Sequence, residues 1–284
     1  MSGPIRRLLV LGGGSELAVA FAERCIDGGL DHLTLASTKH RVEHWFYDDN
    51  DDPRSSEILE ERAQRHDNML ILPRADLVDT DYRRDGATHQ WSDVAVSRIA
   101  QIKNKAIERF LGSSMASRLF LVDADVLVTP GTIDHLAELE TPIISAVYWT
   151  QFTPGDPFMP NVWDRDKYGF DSIESILRLA KPGHHAVGGL GACTLIERHV
   201  LEAGIDFSPI PNLRIWGEDR HFCIRAMCAG FPLAADSCVT PFHVYRTELL
   251  GEADAWAGAG SSPEWFRAHW TTPTWERSLR ALAS

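Results

Sequence analysis

The feature of the sequence that most limits its fold is a short apolar run, residues 119–122 (L-F-L-V), that ends directly in Asp123-Ala124-Asp125. Four successive apolar residues leave no polar face, which is typical of a β-strand covered by helices on both sides of a parallel sheet. Open α/β sheets bind their ligands at the carboxyl ends of such strands. The sequence therefore predicts a buried strand with two carboxylates at the ligand-binding edge of a sheet.

The rest of the chain alternates short apolar runs with segments of helical periodicity. We predict strands at residues 7–11, 32–37, 69–72 and 142–148, and helices at 16–26, 94–111 and about 130–140. The Asp- and Arg-rich segment 47–67 is predicted to connect two strands, and residues 152–170, rich in Pro, Asp and aromatic residues, to form an ordered irregular loop region. Because strands that alternate with helices form parallel sheets, we predict a single α/β domain with a mainly parallel central sheet flanked by helices.

The composition places this domain among globular proteins and excludes several functions. Hydrophobic residues make up 44% of the 284 residues, charged residues make up 24%, and the formal net charge is −12. Such an acidic chain repels polyphosphate, so a general nucleic-acid binder is excluded. The five cysteines form no C-x-x-C pair, and no apolar stretch is long enough for a signal peptide or a membrane span. We therefore predict a cytoplasmic protein without a transmembrane segment.

Position rather than spacing distinguishes the aspartate pair Asp123/Asp125. Four Asp-x-Asp pairs occur in the sequence, but among the predicted elements only this one follows an apolar strand. Two carboxylates at a strand end must be either neutralised by a cation or solvated. Divalent cations are held in this way by one or two carboxylates together with the phosphates of a substrate. The pair therefore indicates a metal site, and a solvated pair at a turn is the alternative.

Three other motifs carry polar or flexible residues at predicted element ends. In Trp216-Gly217-Glu218-Asp219-Arg220, two acidic residues open a helical pattern, which ordinary helix capping also explains. The glycine-rich segment 188–193, which includes Gly189, precedes an apolar strand and offers backbone that can approach a sugar, or forms a tight turn. His243 follows a predicted strand, although an isolated histidine is more often structural than a ligand.

A glycine triplet at residues 12–14 follows the first predicted strand and invites comparison with dinucleotide-binding proteins. The pattern G-x-G-x-x-G requires glycine at position 17, which is Leu17, and no acidic residue closes the second predicted strand. The sequence therefore disfavours a nicotinamide-dependent oxidoreductase.

The order of these motifs between residues 97 and 245 resembles that of GT-A fold glycosyltransferases, most closely glycosyltransferase family 2. The motifs are, in order, K-N-K-A-I-E-R-F-L, R-L-F-L-V-D-A-D-V-L-V, G-G-L-G-A-C-T-L-I-E-R, W-G-E-D-R-H-F-C-I-R and P-F-H-V-Y. The resemblance implies that Asp123 and Asp125 hold a divalent metal and the nucleotide diphosphate, and that His243 completes the metal site. It also implies that Asp219 is the catalytic base, with Glu218 beside it.

Three further residues are expected to contact the nucleotide sugar. Lys103 and Asn104 occupy the positions of a basic residue and an asparagine in the nucleotide-proximal helix of that family, and Gly189 belongs to the glycine-rich segment. The resemblance implies a nucleotide-binding half at about residues 1–128 and an acceptor-binding half at about 129–250. Residues 251–284 form a tryptophan-rich tail that we predict to be a separate appendage.

The implied reaction is the Mn²⁺- or Mg²⁺-dependent transfer of a sugar from a nucleoside diphosphate sugar to an acceptor hydroxyl, with inversion at the anomeric carbon. An unperturbed Asp219, with a pKa of about 3.9, is ionised at neutral pH and ready to accept the proton. The alternatives are a sugar nucleotidyltransferase, a catalytically inactive sugar-nucleotide-binding protein, and a retaining GT-A transferase, because the segment V-G-G-L-G is similar to one in retaining mannosyltransferases. The tail tryptophans are predicted either to pack on the domain or to stack against the acceptor.

Overall fold

The computed structural model of the protein describes residues 5–12, 42–49, 53–65, 67, 69–72, 93–112, 116–165, 169–213 and 217–282. The predicted helix at 16–26 and strand at 32–37 lie outside these residues, as does Trp216 of the helix-opening motif.

The strands of the described residues lie mainly in one large sheet. They are β1 (Ile5–Gly12), β2 (Val42–Asp49), β3 (Met69–Leu72), β4 (Arg118–Asp123), β5 (Val126–Leu127), β6 (Ile143–Ala146), β7 (Trp149–Thr150), β8 (Met159–Pro160), β9 (Val162–Trp163), β10 (His184–Ala186), β11 (Gly189–Leu190), β12 (Thr194–Glu197), β13 (Ala234–Asp236) and β14 (Phe242–His243). Eight of them form a sheet in the order β10-β13-β6-β12-β4-β1-β2-β3. The pairs β3/β2, β2/β1, β1/β4 and β6/β13 are parallel, whereas β12 runs antiparallel between β4 and β6.

This topology confirms the predicted α/β fold class and brings the ends of several strands to one edge. Because β12 is antiparallel to both of its neighbours, β4 and β6 run in the same direction, and their carboxyl ends meet at the edge that carries Asp123. The central strand β4 is buried at Leu119, Phe120, Leu121 and Val122, as its apolar sequence predicts.

The segment between residues 42 and 63 differs from the prediction. The structure places β2 at Val42–Asp49 and a helix at Pro53–Ala63, whereas the sequence analysis expected residues 47–67 to connect two strands and predicted no strand at 42–46. The strand is difficult to recognise because charged residues flank its core, yet Trp45, Phe46 and Tyr47 are almost completely buried. Because β2 is parallel to β1 and β1 is parallel to β4, the backbone of Asp49 ends β2 at the same edge of the sheet as Asp123. Asp51, the other member of that Asp-x-Asp pair, lies outside the described residues.

Helices cover the sheet. They are α1 (Pro53–Ala63), α2 (Asp93–Leu111), α3 (Thr132–Glu138), α4 (Ile173–Leu179), α5 (Arg198–Glu202), α6 (Glu218–Cys228), α7 (Leu250–Gly258), α8 (Pro263–His269) and α9 (Pro273–Leu282), with a 3₁₀ turn at Thr247–Leu249. In α2, the apolar positions at helical intervals face the core, and Lys103 lies on this same buried face. A lysine ammonium group inside a protein requires anionic partners, and these lie in the site described below.

The tryptophan-rich tail packs on the domain and is not the separate appendage that the sequence suggested. Trp256, Phe266, Trp270 and Trp275 are buried and belong to the same continuous hydrophobic core as the sheet. The ring of Trp270 stacks on Phe158 at 4.1 Å and lies 4.7 Å from Phe242. Since Phe242 directly precedes His243, the tail helices support the strand that carries this histidine.

Candidate active site

A short antiparallel pairing brings His243 to Asp125. Strand β14 pairs with β5 so that His243 is opposite Val126, and the Val244 amide donates to the Asp125 carbonyl oxygen at 2.8 Å. As a result, Nε2 of His243 lies 3.2 Å from Oδ2 of Asp125. Two residues that are remote in sequence thus present a nitrogen and an oxygen at the carboxyl edge of β4.

The other ring nitrogen of His243 is held by Thr150. Its Nδ1 lies 2.7 Å from Thr150 Oγ1, and the ring packs edge-on against Tyr148 and Tyr245. A hydrogen bond to one imidazole nitrogen fixes the orientation of the other, which is the common arrangement around histidine ligands of metals. Nε2 is therefore directed toward Asp125.

Asp123 interacts electrostatically with Asp125 on one side of the site and with Lys103 and Glu218 on the other. Burial raises the pKa of its carboxyl group, which the positive charge of Lys103 lowers and the negative charges of Asp125 and Glu218 raise further. Burial and nearby carboxylates also raise the pKa of Tyr148 well above its ordinary value. Negative charge therefore dominates this edge of the sheet, and a bound cation would relieve it.

On the other side of the site, Lys103 of α2 forms ion pairs with both acidic residues at the start of α6. Its Nζ lies 2.6 Å from Glu218 Oε1 and 2.7 Å from Asp219 Oδ1. The side chains of Lys103 and Glu218 are only 3% and 4% exposed, whereas that of Asp219 is 21% exposed. Burial lowers the pKa of Lys103, but the two carboxylates outweigh it and raise this pKa well above its ordinary value. Lys103 is therefore a permanent cation that fixes one oxygen of Asp219.

The pKa of Asp219 differs from the ordinary value expected from the sequence. Burial and the adjacent Glu218 charge raise the pKa of Asp219 to about 7, although Lys103 acts in the opposite direction. At neutral pH this carboxyl group is therefore partly protonated, not fully ionised. A base whose pKa is near the working pH is well matched to accept and release a proton.

The second oxygen of Asp219 faces a glycine. A Cβ atom at Gly191 would lie 3.6 Å from Asp219 Oδ2 and 3.2 Å from the Asn161 carbonyl oxygen. A side chain at position 191 would therefore crowd Asp219 and Asn161, and glycine avoids this contact.

Two of the residues expected to bind the nucleotide sugar make structural contacts. Asn104 accepts from the Phe207 amide at 2.8 Å and donates to Ser208 Oγ at 3.0 Å, so it holds the loop after α5. A Cβ at Gly189 would lie 2.0 Å from the Trp163 ring, so close packing on this indole requires glycine.

Sequence reasoning missed three residues that shape the site: Tyr148, Thr150 and Asn161. Asn161 Oδ1 accepts from the Tyr148 amide at 2.9 Å, and its Nδ2 donates to the carbonyl oxygens of Ala146 and Ala192, each at 3.2 Å. It thereby joins the end of β6 to the loop before β12. All three lie in or beside the irregular segment, where no periodicity or motif distinguishes them.

Comparison with known proteins identifies the fold class. The structure is similar to a crystal structure of GalNAc-T7 with UDP, GalNAc and Mn²⁺, with a TM-score of 0.51 and 13% sequence identity over 85% of this chain and 44% of that chain. The protein therefore has the GT-A fold, as the resemblance implied. The eight-stranded sheet described above is the core of this fold in the chain.

A relative in sequence is a glycosyltransferase 25 family member from Aedes aegypti, 26% identical over 211 residues that cover 68% of this chain and 33% of that protein. The chain thus spans about a third of the length of this curated relative. It matches no known protein-family profile, so the placement in family 2 stays a prediction. In the part of the chain that the structure describes, every helix is too short or too polar to cross a bilayer.

Proposed function

We propose that the protein is a metal-dependent glycosyltransferase that moves a sugar from a nucleoside diphosphate sugar to an acceptor hydroxyl. The observation that carries this proposal is the assembly of six ionisable residues from four chain segments at one sheet edge: Lys103, Asp123, Asp125, Glu218, Asp219 and His243. The relative named as a glycosyltransferase, and the structural neighbour crystallised with UDP, GalNAc and Mn²⁺, support the same class of reaction.

The donor set at Asp125 and His243 fits a divalent cation. An imidazole nitrogen and a carboxylate oxygen 3.2 Å apart can serve one ion, Asp123 adds a carboxylate nearby, and Thr150 orients the imidazole. Nitrogen combined with oxygen donors suits Mn²⁺ better than Mg²⁺, which prefers oxygen and water. When bound, the cation would stabilise the charge that develops on the leaving diphosphate.

The acidic residues at the start of α6 act on the acceptor, whereas the cation acts on the leaving diphosphate. In the proposed step, the acceptor oxygen forms a bond with the anomeric carbon while the bond from that carbon to the diphosphate breaks. The acceptor proton passes to Asp219, whose Oδ2 lies beside Gly191. Lys103 holds Oδ1, so the carboxylate keeps one orientation during the transfer. Glu218, deeply buried on the same lysine, positions this pair.

A donor-turnover assay tests the proposal. The chain is incubated with a panel of nucleoside diphosphate sugars and Mn²⁺, and release of the nucleoside diphosphate is measured with and without candidate hydroxyl acceptors. We expect slow hydrolysis of one donor without acceptor, which is lost in Asp125→Asn. The matched control is Asp164→Asn, because Asp164 belongs to another Asp-x-Asp pair and instead accepts from the Asp171 amide.

Other outcomes distinguish the alternatives. Formation of pyrophosphate from a nucleoside triphosphate and a sugar phosphate would identify a nucleotidyltransferase. Donor binding without turnover under every condition would indicate an inactive binding protein. A product that keeps the anomeric configuration of the donor would replace the inverting role of Asp219 with a retaining mechanism.

A further inference from the structure

A second group of potential metal ligands lies on a different part of the sheet. His135 is on α3, Asp236 ends β13, and Cys238 follows two residues later. One ring nitrogen, one carboxylate oxygen and the thiol sulfur all lie within 4.8 Å of one another. Among the described residues, this is the one group of three or more His, Cys, Asp and Glu side chains that is this compact.

The backbone holds the central member of this group rigidly. The Asp236 carbonyl oxygen accepts from the Val147 amide at 2.8 Å, and its Oδ1 accepts from the Cys238 amide, also at 2.8 Å. His135 Nε2 lies 2.9 Å from the same Oδ1. The Asp236 side chain is 2% exposed, whereas that of His135 is 32% exposed. The group is therefore preformed and open to solvent on the histidine side.

The Cys238 thiol lies near one carboxylate, that of Asp236, and one cation, that of Arg267. Arg267 itself donates to the Ser237 carbonyl oxygen at 3.1 Å. A divalent cation that replaces the thiol proton would be balanced by one thiolate and one carboxylate, so a buried negative charge would be neutralised locally.

We propose that His135, Asp236 and Cys238 form a second metal site, for a thiophilic divalent cation such as Zn²⁺. Four-coordinate zinc accepts nitrogen, oxygen and sulfur donors, and a site with three protein ligands leaves the fourth position for water or another ligand. Binding releases the Cys238 proton to solvent and moves the His135 proton from Nε2 to Nδ1, and bonds to the cation replace the hydrogen bond between His135 and Asp236. The site is chemically distinct from that at Asp125 and His243, which contains no thiol, and it does not depend on the proposed transferase activity.

A cation at this site would link two elements of the fold. It would connect α3 to the end of β13, and the hydrogen bond from Arg267 to Ser237 connects the same segment to α8 of the tail. A ligand that binds only the folded state stabilises it by mass action. Zinc should therefore raise the melting temperature of the full chain.

Cobalt substitution tests the site by a signal that only a thiolate ligand gives. The reduced, chelator-treated protein is titrated with Co²⁺, and a thiolate-to-cobalt charge-transfer band is expected in the near ultraviolet at one equivalent, together with the visible bands of tetrahedral Co²⁺. Zn²⁺ should displace both signals. Cys238→Ser should abolish the charge-transfer band, and His135→Gln should weaken Co²⁺ binding at least tenfold.

The controls separate this site from the rest of the protein. Cys228→Ser removes an exposed cysteine at the end of α6 and should keep the band, as should Asp125→Asn. Absence of the band in the wild-type chain overturns the proposal, whether or not the variants fold, and leaves the three residues as a hydrogen-bonded group. A band that persists in Cys238→Ser and disappears in Cys228→Ser overturns it as well.

Discussion

Lys103 Nζ lies 2.7 Å from Oδ1 of Asp219, and this contact joins α2 to the first turn of α6. It fixes the carboxylate that we propose as the base and limits how far burial raises its pKa. Substitution of either residue, or a change of pH, should therefore alter both turnover and stability.

Replacement of Asp219 by Asn keeps the shape of the side chain but removes its ability to accept a proton. Turnover should fall by about 10²-fold or more, while affinity for the nucleoside diphosphate sugar stays within a few-fold. Steady-state kinetics and donor-binding calorimetry measure the two effects. An Asn variant with near-normal turnover would show that Asp219 is not the base.

The pH dependence of the wild-type enzyme should follow the titration of Asp219. Because its pKa is raised to about 7, the group holds a proton below that pH and loses it as the pH rises. The kcat/KM value should therefore increase about tenfold per pH unit on the acidic side and level off above the pKa. The residual activity of Asp219→Asn should lack this limb, and an equally steep limb in that variant would assign the titration to another group.

Replacement of Lys103 by Met leaves Glu218 and Asp219 without their cation. Removing one partner of a buried ion pair costs about 3–5 kcal/mol, so the free energy of unfolding in urea should fall by this amount. The acidic limb of the pH profile should also move to higher pH, because the positive charge that lowers the pKa of Asp219 is gone.

Two further variants control this experiment. Lys105→Met, on the same helix, removes an exposed lysine that pairs with Glu108 and should change stability by less than about 1 kcal/mol. If Lys103→Met does not fold, Lys103→Arg retains the charge and should fold with an altered pH profile. Equal stability of the two Met variants would contradict the role of the buried pair.

The proposed metal site predicts how chelators and ligand substitutions should change activity and Mn²⁺ binding. Excess chelator should abolish activity, with Mn²⁺ at least as effective as Mg²⁺ in restoring it. His243→Ala should weaken Mn²⁺ and donor binding, and Thr150→Val, which removes the hydrogen bond to His243 Nδ1, should raise the Mn²⁺ concentration for half-maximal activity about 10- to 100-fold. Thr153→Val, at an exposed position in the following loop, is the control. Full activity in chelator would exclude a metal-dependent reaction.

The tail variants distinguish packing from acceptor recognition. Truncation at Gly251 should lower the melting temperature, and Trp270→Ala should destabilise the protein by about 3–5 kcal/mol, because its ring is buried against Phe158 and Phe242. Trp265, only partly buried and stacked on the exposed His269, is the comparison. If Trp265→Ala raises only the KM of the acceptor, the tail also contributes to recognition; unchanged stability after truncation would contradict its packing role.

The sequence predicted the position of a residue best where a single strand or helix determines the environment of that residue. The apolar run of β4 places Asp123 at a sheet edge regardless of what packs nearby, so local reasoning predicts its position. In contrast, the pairing of Lys103 with Asp219 depends on the packing of two helices whose residues are 116 positions apart. Strand β2 was missed because it carries charged residues near both ends, and His44 within it is buried by tertiary packing. For the same reason, no motif marks His135, Asp236 and Cys238 as neighbours.

Because the pairing of β14 with β5 brings the proposed metal ligands together, binding of the cation also reports on folding. The chain between Asp125 and His243 forms a long loop, and the pairing of β14 with β5 closes it. Closing such a long loop has an entropic cost that must be met before the two ligands can meet. High-affinity Mn²⁺ binding during refolding should therefore appear only after the two ends of this loop have joined. The time course of Mn²⁺ binding would then measure the rate at which β14 pairs with β5.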